Sequence, residues 1–190
     1  MEIRSTIKES IELKTKILQD EHLMEAIHQS YQLAVHALKS GSRVFWCGNG
    51  GSAADAQHLS SELSGRFYLD RTPLNSEALH VNSSYLTAVA NDYGYEAVYA
   101  RAIAAKANAG DILICLSTSG KSKNILRAIE QAEAIGLKII CLTGQAGIDT
   151  ETIPDVLIKV PSKDTPRIQE AHMLIGHIIC EQIEKDMFSK

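Results

Sequence analysis

Two short runs, Ile112-Leu113-Ile114-Cys115-Leu116 and, after Lys138, Ile139-Ile140-Cys141-Leu142, are apolar at consecutive rather than alternate positions, and each leads into a turn. A strand without alternation is covered on both faces, the pattern of a parallel sheet with helices on either side. The rest of the chain keeps the same rhythm. Candidate strands fall at 43–47, 76–81, 111–116, 137–142 and 156–160, with helices between them at 53–64, 84–90, 96–107 and 124–134 and a final helix from about 167 to 186. Ahead of the sheet, Ile3, Ile7 and Ile11 recur at helical spacing, followed by Leu18 and a second helical stretch over 23–39, which Gly41 and Ser42 close. Residues 1–40 therefore read as an N-terminal helical extension suited to oligomerisation and 41–190 as the α/β domain, the two forming one compact domain.

At 190 residues the chain has room for one real core and no more, and 45% hydrophobic with 22% charged residues excludes wholesale disorder. The net charge of −4, with both signs mixed along the chain, supplies no basic stripe for nucleic-acid phosphates. No apolar run approaches the ~18 residues of a membrane span, and the start MEIRSTIKES lacks the apolar core of a signal peptide. Cys47, Cys115, Cys141 and Cys180 show no zinc-ribbon or redox spacing and read as reduced core residues of a cytoplasmic protein. Cys180, three residues after His177, is the one placed to join a metal site, although burial is the commoner fate of a free cysteine.

Chemistry gathers after the first and third strands. Asn49-Gly50-Gly51-Ser52 forms a tight turn in which Ser52 is expected to cap the following helix. Such a junction favours anions, because its amides and positive dipole end are unpaired and its glycines admit a phosphate close to the backbone. Ser117-Thr118-Ser119-Gly120-Lys121-Ser122 sets four hydroxyls and a glycine before a helix starting near Asn124. Parallel sheets take ligands beyond the carboxyl ends of their strands, so both turns open on one edge. The P-loop pattern is absent, which argues against nucleotide hydrolysis. A plain polar capping turn is the alternative, and the position directly after a buried strand favours ligand binding.

His58 and Glu62, four residues apart, project from one helix face as many metal pairs do, although this spacing also recurs by chance. Gln169 and His177, eight residues apart, share nearly one face of the last helix, and His172 turns away from that line. Asn91-Asp92-Tyr93-Gly94 reads as a loop, either an Asx turn or a carboxylate beside a sugar site. Lys163-Asp164 and the end EQIEKDMFSK read as solvated charge.

Four segments in this order, CGNGGSAADAQHLSSELSGRF, AVANDYGYE, STSGKSKN and RIQEAHMLIGHIICEQIE, resemble the phosphoheptose isomerases, a family of sugar isomerase (SIS) domain proteins, and the resemblance spans essentially the whole chain. It implies a single SIS domain with a flavodoxin-like five-stranded parallel sheet flanked by helices, two N-terminal helices and a long C-terminal helix. It also implies a cytoplasmic homotetramer with active sites between subunits. The implied reaction is aldose–ketose isomerisation of sedoheptulose 7-phosphate to D-glycero-D-manno-heptose 7-phosphate through an enediolate, the first step towards activated heptose for lipopolysaccharide or capsule.

By the same resemblance His58, Glu62, Gln169 and His177 hold a zinc ion, one per subunit, with Glu62 and His177 as the catalytic acid–base pair. The implied substrate contacts are Asn49, Gly50, Gly51, Glu62, Asn91, Asp92, Ser117, Thr118, Ser119, Ser122 and Gln169, to which Ser52 is added for its place in the first turn. Asn82, Lys121, the 144–147 loop and Pro166 depart from residues common in the family; they leave the catalytic set intact and bear on the choice of sugar. The alternatives are an isomerase or sensor of another sugar phosphate, and a non-catalytic SIS tetramer of the kind associated with the replication initiator. The latter lacks the counterparts of Glu62 and His177, both present here.

Overall fold

A computed structural model describes residues 2–188. Helices α1 (Glu2–Leu18) and α2 (Glu21–Lys39) come first, and the Asp20 carboxylate caps α2 by accepting the Leu23 amide at 3.1 Å. Strands and helices then alternate: β1 (Val44–Gly48), α3 (Gly51–Ser64), β2 (Ser76–Ala78), α4 (Ser83–Tyr93), α5 (Val98–Lys106), β3 (Ile112–Ser117), α6 (Lys123–Ile135), β4 (Lys138–Thr143), β5 (Val156–Lys159) and α7 (Thr165–Phe188). The strands are all parallel in the order β2-β1-β3-β4-β5, the flavodoxin-like arrangement the resemblance implies.

Successive side chains of a strand point to opposite faces, and here both faces are dry. Val44, Trp46, Ile112, Ile114, Leu116, Ile140 and Leu142 pack against α2, α3 and α7. Phe45, Cys47, Leu113, Cys115, Ile139 and Cys141 pack against α4, α5 and α6. This is why β3 is apolar without a break from Ile112 to Leu116 and β4 from Ile139 to Leu142. All four cysteines are free and buried, and Cys47, Cys115 and Cys141 share one register across β1, β3 and β4. Among the described residues no helix is long and apolar enough to cross a membrane.

Several boundaries differ from the sequence expectation. The first turn's helix is capped by Gly50, at φ 55°, a value glycine adopts without strain, so Ser52 lies inside α3 and does not cap it. Strand β2 stops at Ala78 because the edge chain turns towards Asn82, whose side chain caps α4 by accepting the Tyr85 amide at 3.0 Å. Helix α4 runs on to Tyr93, so Asn91 and Asp92 are helical and only Gly94 breaks the chain. A 3-10 turn at Tyr95–Ala97 precedes α5. The C-terminal charges are not all solvated: Glu181 and Lys185 pair on the surface, whereas Glu184 is only 2% exposed.

Helices α3 and α7, which carry the histidines and carboxylate of the expected metal set, approach each other closely. A Cβ on Gly176 would stand 2.3 Å from Cδ1 of Leu59, so the two helices touch here in a way no larger residue allows.

Candidate active site

The carboxyl ends of β1 and β3 lie where the strand order reverses, the usual ligand position of an open α/β sheet. There the two polar turns meet around a cavity of about 180 Å³ lined by Asn49, Ser52, Leu116, Ser117, Thr118, Ser122, Thr165 and Gln169. Asn49 and Asn124 join the turns by two reciprocal amide hydrogen bonds, each 2.8 Å, and the Tyr95 hydroxyl donates to the same Asn49 oxygen at 3.0 Å. Tyr99 donates to the Gly48 carbonyl beneath. Gly120 sits at φ 66°, and a Cβ there would lie 1.8 Å from the Gly147 carbonyl oxygen, so only glycine lets the second turn close against the 144–147 loop. Ser122 occupies the N-cap of α6 without capping it through its side chain, which leaves the hydroxyl to the cavity.

A second group lies further along α3 and α7. His58 Nε2 is 3.0 Å from Glu62 Oε1 and 3.1 Å from His177 Nε2. One donor atom from each of the three residues falls within 4.8 Å of the others. These separations approach the ligand–ligand edges, about 3.4 Å, of a tetrahedral site with bonds of about 2.0–2.1 Å. Phe67 stacks on His177 with ring centroids 5.8 Å apart and planes 29° apart.

The structure thus brings three of the four expected metal ligands together. Gln169 lies two turns back along α7, about 12 Å of helix from His177, and lines the cavity. Its Nε2 rests where a Cβ on Gly51 would be only 2.5 Å away. Asn49, Ser52, Ser117, Thr118 and Ser122 line that cavity too, and Gly50 and Gly51 form the turn beside it. Ser119 is exposed, its Oγ accepting the Lys121 amide at 3.2 Å outside the cavity. Asn91 and Asp92 are exposed at the end of α4, bonded to each other at 2.9 Å.

His172 is fully buried and lies 3.2 Å from the Thr143 carbonyl; burial pulls its pKa down to about 4. Cys180 is buried against the Leu59 carbonyl, burial pushes its thiol far up, and it takes no part in the trio. Thr165, Asn124, Tyr95 and Phe67 are functional candidates that no spacing in the sequence singles out. The last three fall inside the segments STSGKSKN, AVANDYGYE and CGNGGSAADAQHLSSELSGRF, which is the signal that marks them.

A doubly wound sheet carrying two polar, glycine-containing turns around a cavity at its switch point defines an α/β protein with a ligand site at the carboxyl edge of its sheet, and residues 7–144 match the family model described as the SIS domain. The chain is 49% identical over 181 residues to the phosphoheptose isomerase of Mycobacterium tuberculosis, covering 95% of this chain and 92% of that protein. It is 45% identical to the phosphoheptose isomerase of Clostridium acetobutylicum, covering 99% and 96%. The solved phosphoheptose isomerase of Francisella tularensis superposes with a TM-score of 0.92 at 38% identity, covering 97% of each chain. The chain belongs to the phosphoheptose isomerase family.

Proposed function

We propose that this chain converts sedoheptulose 7-phosphate to D-glycero-D-manno-heptose 7-phosphate, in the cytoplasm, supplying heptose for a surface polysaccharide. The observation that carries the reading is the convergence of His58, Glu62 and His177 on α3 and α7, the same two helices that border a polar cavity with room for a phosphate. A binding module needs the cavity alone.

Moving a carbonyl between C1 and C2 requires a base for a carbon-bound proton, an acid for the oxygen and stabilisation of the enediolate. Glu62 is the base, and His177 exchanges the proton at the sugar oxygen. One Glu62 oxygen faces His58 at 3.0 Å, and the other takes the substrate proton. The hydroxyls of Ser117, Thr118 and Ser122, with the N-terminus of α6, hold the phosphate. The trio's two imidazoles and carboxylate are a donor set suited to zinc, which when bound supplies a Lewis-acid charge near the developing oxyanion.

Gln169 cannot join the trio of its own subunit across about 12 Å of helix, so we assign it to the trio of a neighbouring copy. The working unit is then an oligomer, a homotetramer by family, with shared sites. An apolar stripe on α1 supports assembly: Ile3, Ile7 and Ile11 are 76%, 55% and 58% exposed.

The test is incubation of the purified protein with sedoheptulose 7-phosphate, with and without chelator, followed by NMR for the aldose product. Product formed with zinc and lost on chelation is expected. No product under metal-replete conditions overturns the reading.

A further inference from the structure

The loop after α3 is fastened by one buried ion pair. The Glu184 carboxylate, with a side chain only 3% exposed, accepts the backbone amides of Phe67 at 3.2 Å, Tyr68 at 2.8 Å and Leu69 at 3.0 Å, and the Nε–H of Arg71 at 3.0 Å. Arg71, equally buried, donates in turn to the backbone carbonyls of Glu62 at 2.8 Å and Leu63 at 2.8 Å. Burial alone pushes the Glu184 carboxyl up, but the three amides and Arg71 outweigh it and hold the group below the usual carboxylate range. Four donors on one buried carboxylate exceed what a helix end needs for closure.

What the pair holds is the candidate catalytic centre. Phe67, whose amide Glu184 grips, stacks on His177, and the carbonyl that Arg71 grips belongs to Glu62. We propose that Arg71 and Glu184 form a latch of positioning residues that sets the mutual orientation of Glu62 and His177, Glu184 acting through Phe67 and Arg71 through the last turn of α3. This rests on the reading of the trio as the metal-holding, proton-transferring centre. The latch sits almost two turns of α7 beyond His177, on the side away from Gln169 and the phosphate cavity. Its loss therefore affects turnover and metal geometry, not capture of the sugar phosphate.

The experiment compares wild-type protein with Glu184→Gln, Phe67→Leu and, as control on the same helix, Lys185→Ala. The glutamine side chain keeps the size of the glutamate but turns N–H groups towards donors that need an acceptor. Each protein is titrated with Co2+, whose visible spectrum reads ligand geometry, and assayed for kcat and KM with sedoheptulose 7-phosphate. Glu184→Gln is expected to weaken Co2+ binding about 10- to 100-fold, alter the band shape and lower kcat about as much, with KM within about threefold. Phe67→Leu shifts in the same direction, and Lys185→Ala matches wild type. A folded Glu184→Gln protein with wild-type spectrum and kcat overturns the latch; if that variant does not fold, an unchanged Phe67→Leu protein does so. Wild-type protein that binds Co2+ yet leaves the sugar untouched defeats the functional reading, and the cobalt arm then judges the latch alone.

Discussion

Asn49 and Asn124 hold each other by two amide hydrogen bonds of 2.8 Å, and this pair is the joint between the glycine turn after β1 and the hydroxyl turn after β3. With Tyr95 on the same oxygen, the Asn49 carboxamide is engaged in three bonds and has one N–H left. Asn49 thus serves a ligand mainly by holding the turn's backbone in place, and Asn124, only 3% exposed, is the less visible half of the device.

Asn124→Ala therefore loosens the cavity without touching the trio. The expected outcome is a KM for the sugar phosphate raised about tenfold, with stability lowered by about 1–3 kcal/mol, because the Asn49 N–H loses its acceptor while its oxygen keeps only the Tyr95 hydroxyl. Steady-state kinetics and denaturant melts check both. A fall in kcat at unchanged KM contradicts the assignment.

Removing the proton-transfer groups has a different signature. Glu62→Gln and His177→Ala are each expected to lower kcat by about 10²- to 10⁴-fold while the far-ultraviolet circular dichroism and melting temperature stay close to wild type, since both side chains reach solvent. Near-normal turnover in either purified variant removes that residue from the chemistry.

How much of this is legible in the sequence depends on how local each signal is. Every position of Ile112 to Leu116 is apolar, so a strand with two covered faces follows from the chain alone. His58 and Glu62 are one helical turn apart, so their shared face does too. The partnership of Asn49 with Asn124 and Tyr95 is not written in any spacing, because it arises only when β1 and β3 pair and the turns meet. Glu184 is hidden inside a charged run. Its place on the stripe of Gly176, Ile179, Cys180 and Ile183, all buried, is the periodic signal that separates it from Glu181 and Lys185. The capping role expected of Ser52 yields to Gly50 because the turn needs a positive φ, a backbone demand the propensity of serine does not report.

Gly51→Ala tests the place of Gln169. The new methyl meets only the end of that flexible side chain, at 2.5 Å, so the fold survives while the carboxamide is displaced. The melting temperature is expected to hold within a few degrees, and kcat/KM to fall about tenfold or more, in line with a loss of about 1.4 kcal/mol per factor of ten. Gln169→Ala gives the comparison: if Gly51→Ala is fully active while Gln169→Ala is not, the contact at Gly51 plays no part in placing the amide.

Shared sites make a sharper forecast. Gln169→Ala and His177→Ala homo-oligomers are each expected to be inactive, yet subunits unfolded together and refolded as a mixture regain activity, up to about a quarter of the sites if two subunits build each one and assort at random. Intact and damaged ligands then meet in the same site only in mixed assemblies. A mixture as dead as its parents places Gln169 and His177 in one subunit's site and removes the cross-subunit arrangement.

Acid should find a weak point away from the site. His172 faces the Thr143 carbonyl at 3.2 Å through Nε2, and its Nδ1 is buried without a partner, so the ring is neutral and a second proton would enter a dry pocket. Its pKa when folded is about 4, against an ordinary value of 6.5, so between these pH values the unfolded chain binds the proton and the folded one does not. Stability present above pH 6.5 is therefore lost as the pH falls towards 4, by about 3 kcal/mol over the whole interval. Glu184 adds its own loss at lower pH, where its depressed carboxyl is finally protonated. Denaturant midpoints at about pH 7, 5.5 and 4.5 are expected to decline steadily in the wild type. His172→Gln retains a donor for Thr143 but no titrating ring, and its decline over this range should be markedly flatter, whatever its stability at neutral pH. Parallel slopes for the two proteins would locate the acid sensitivity elsewhere.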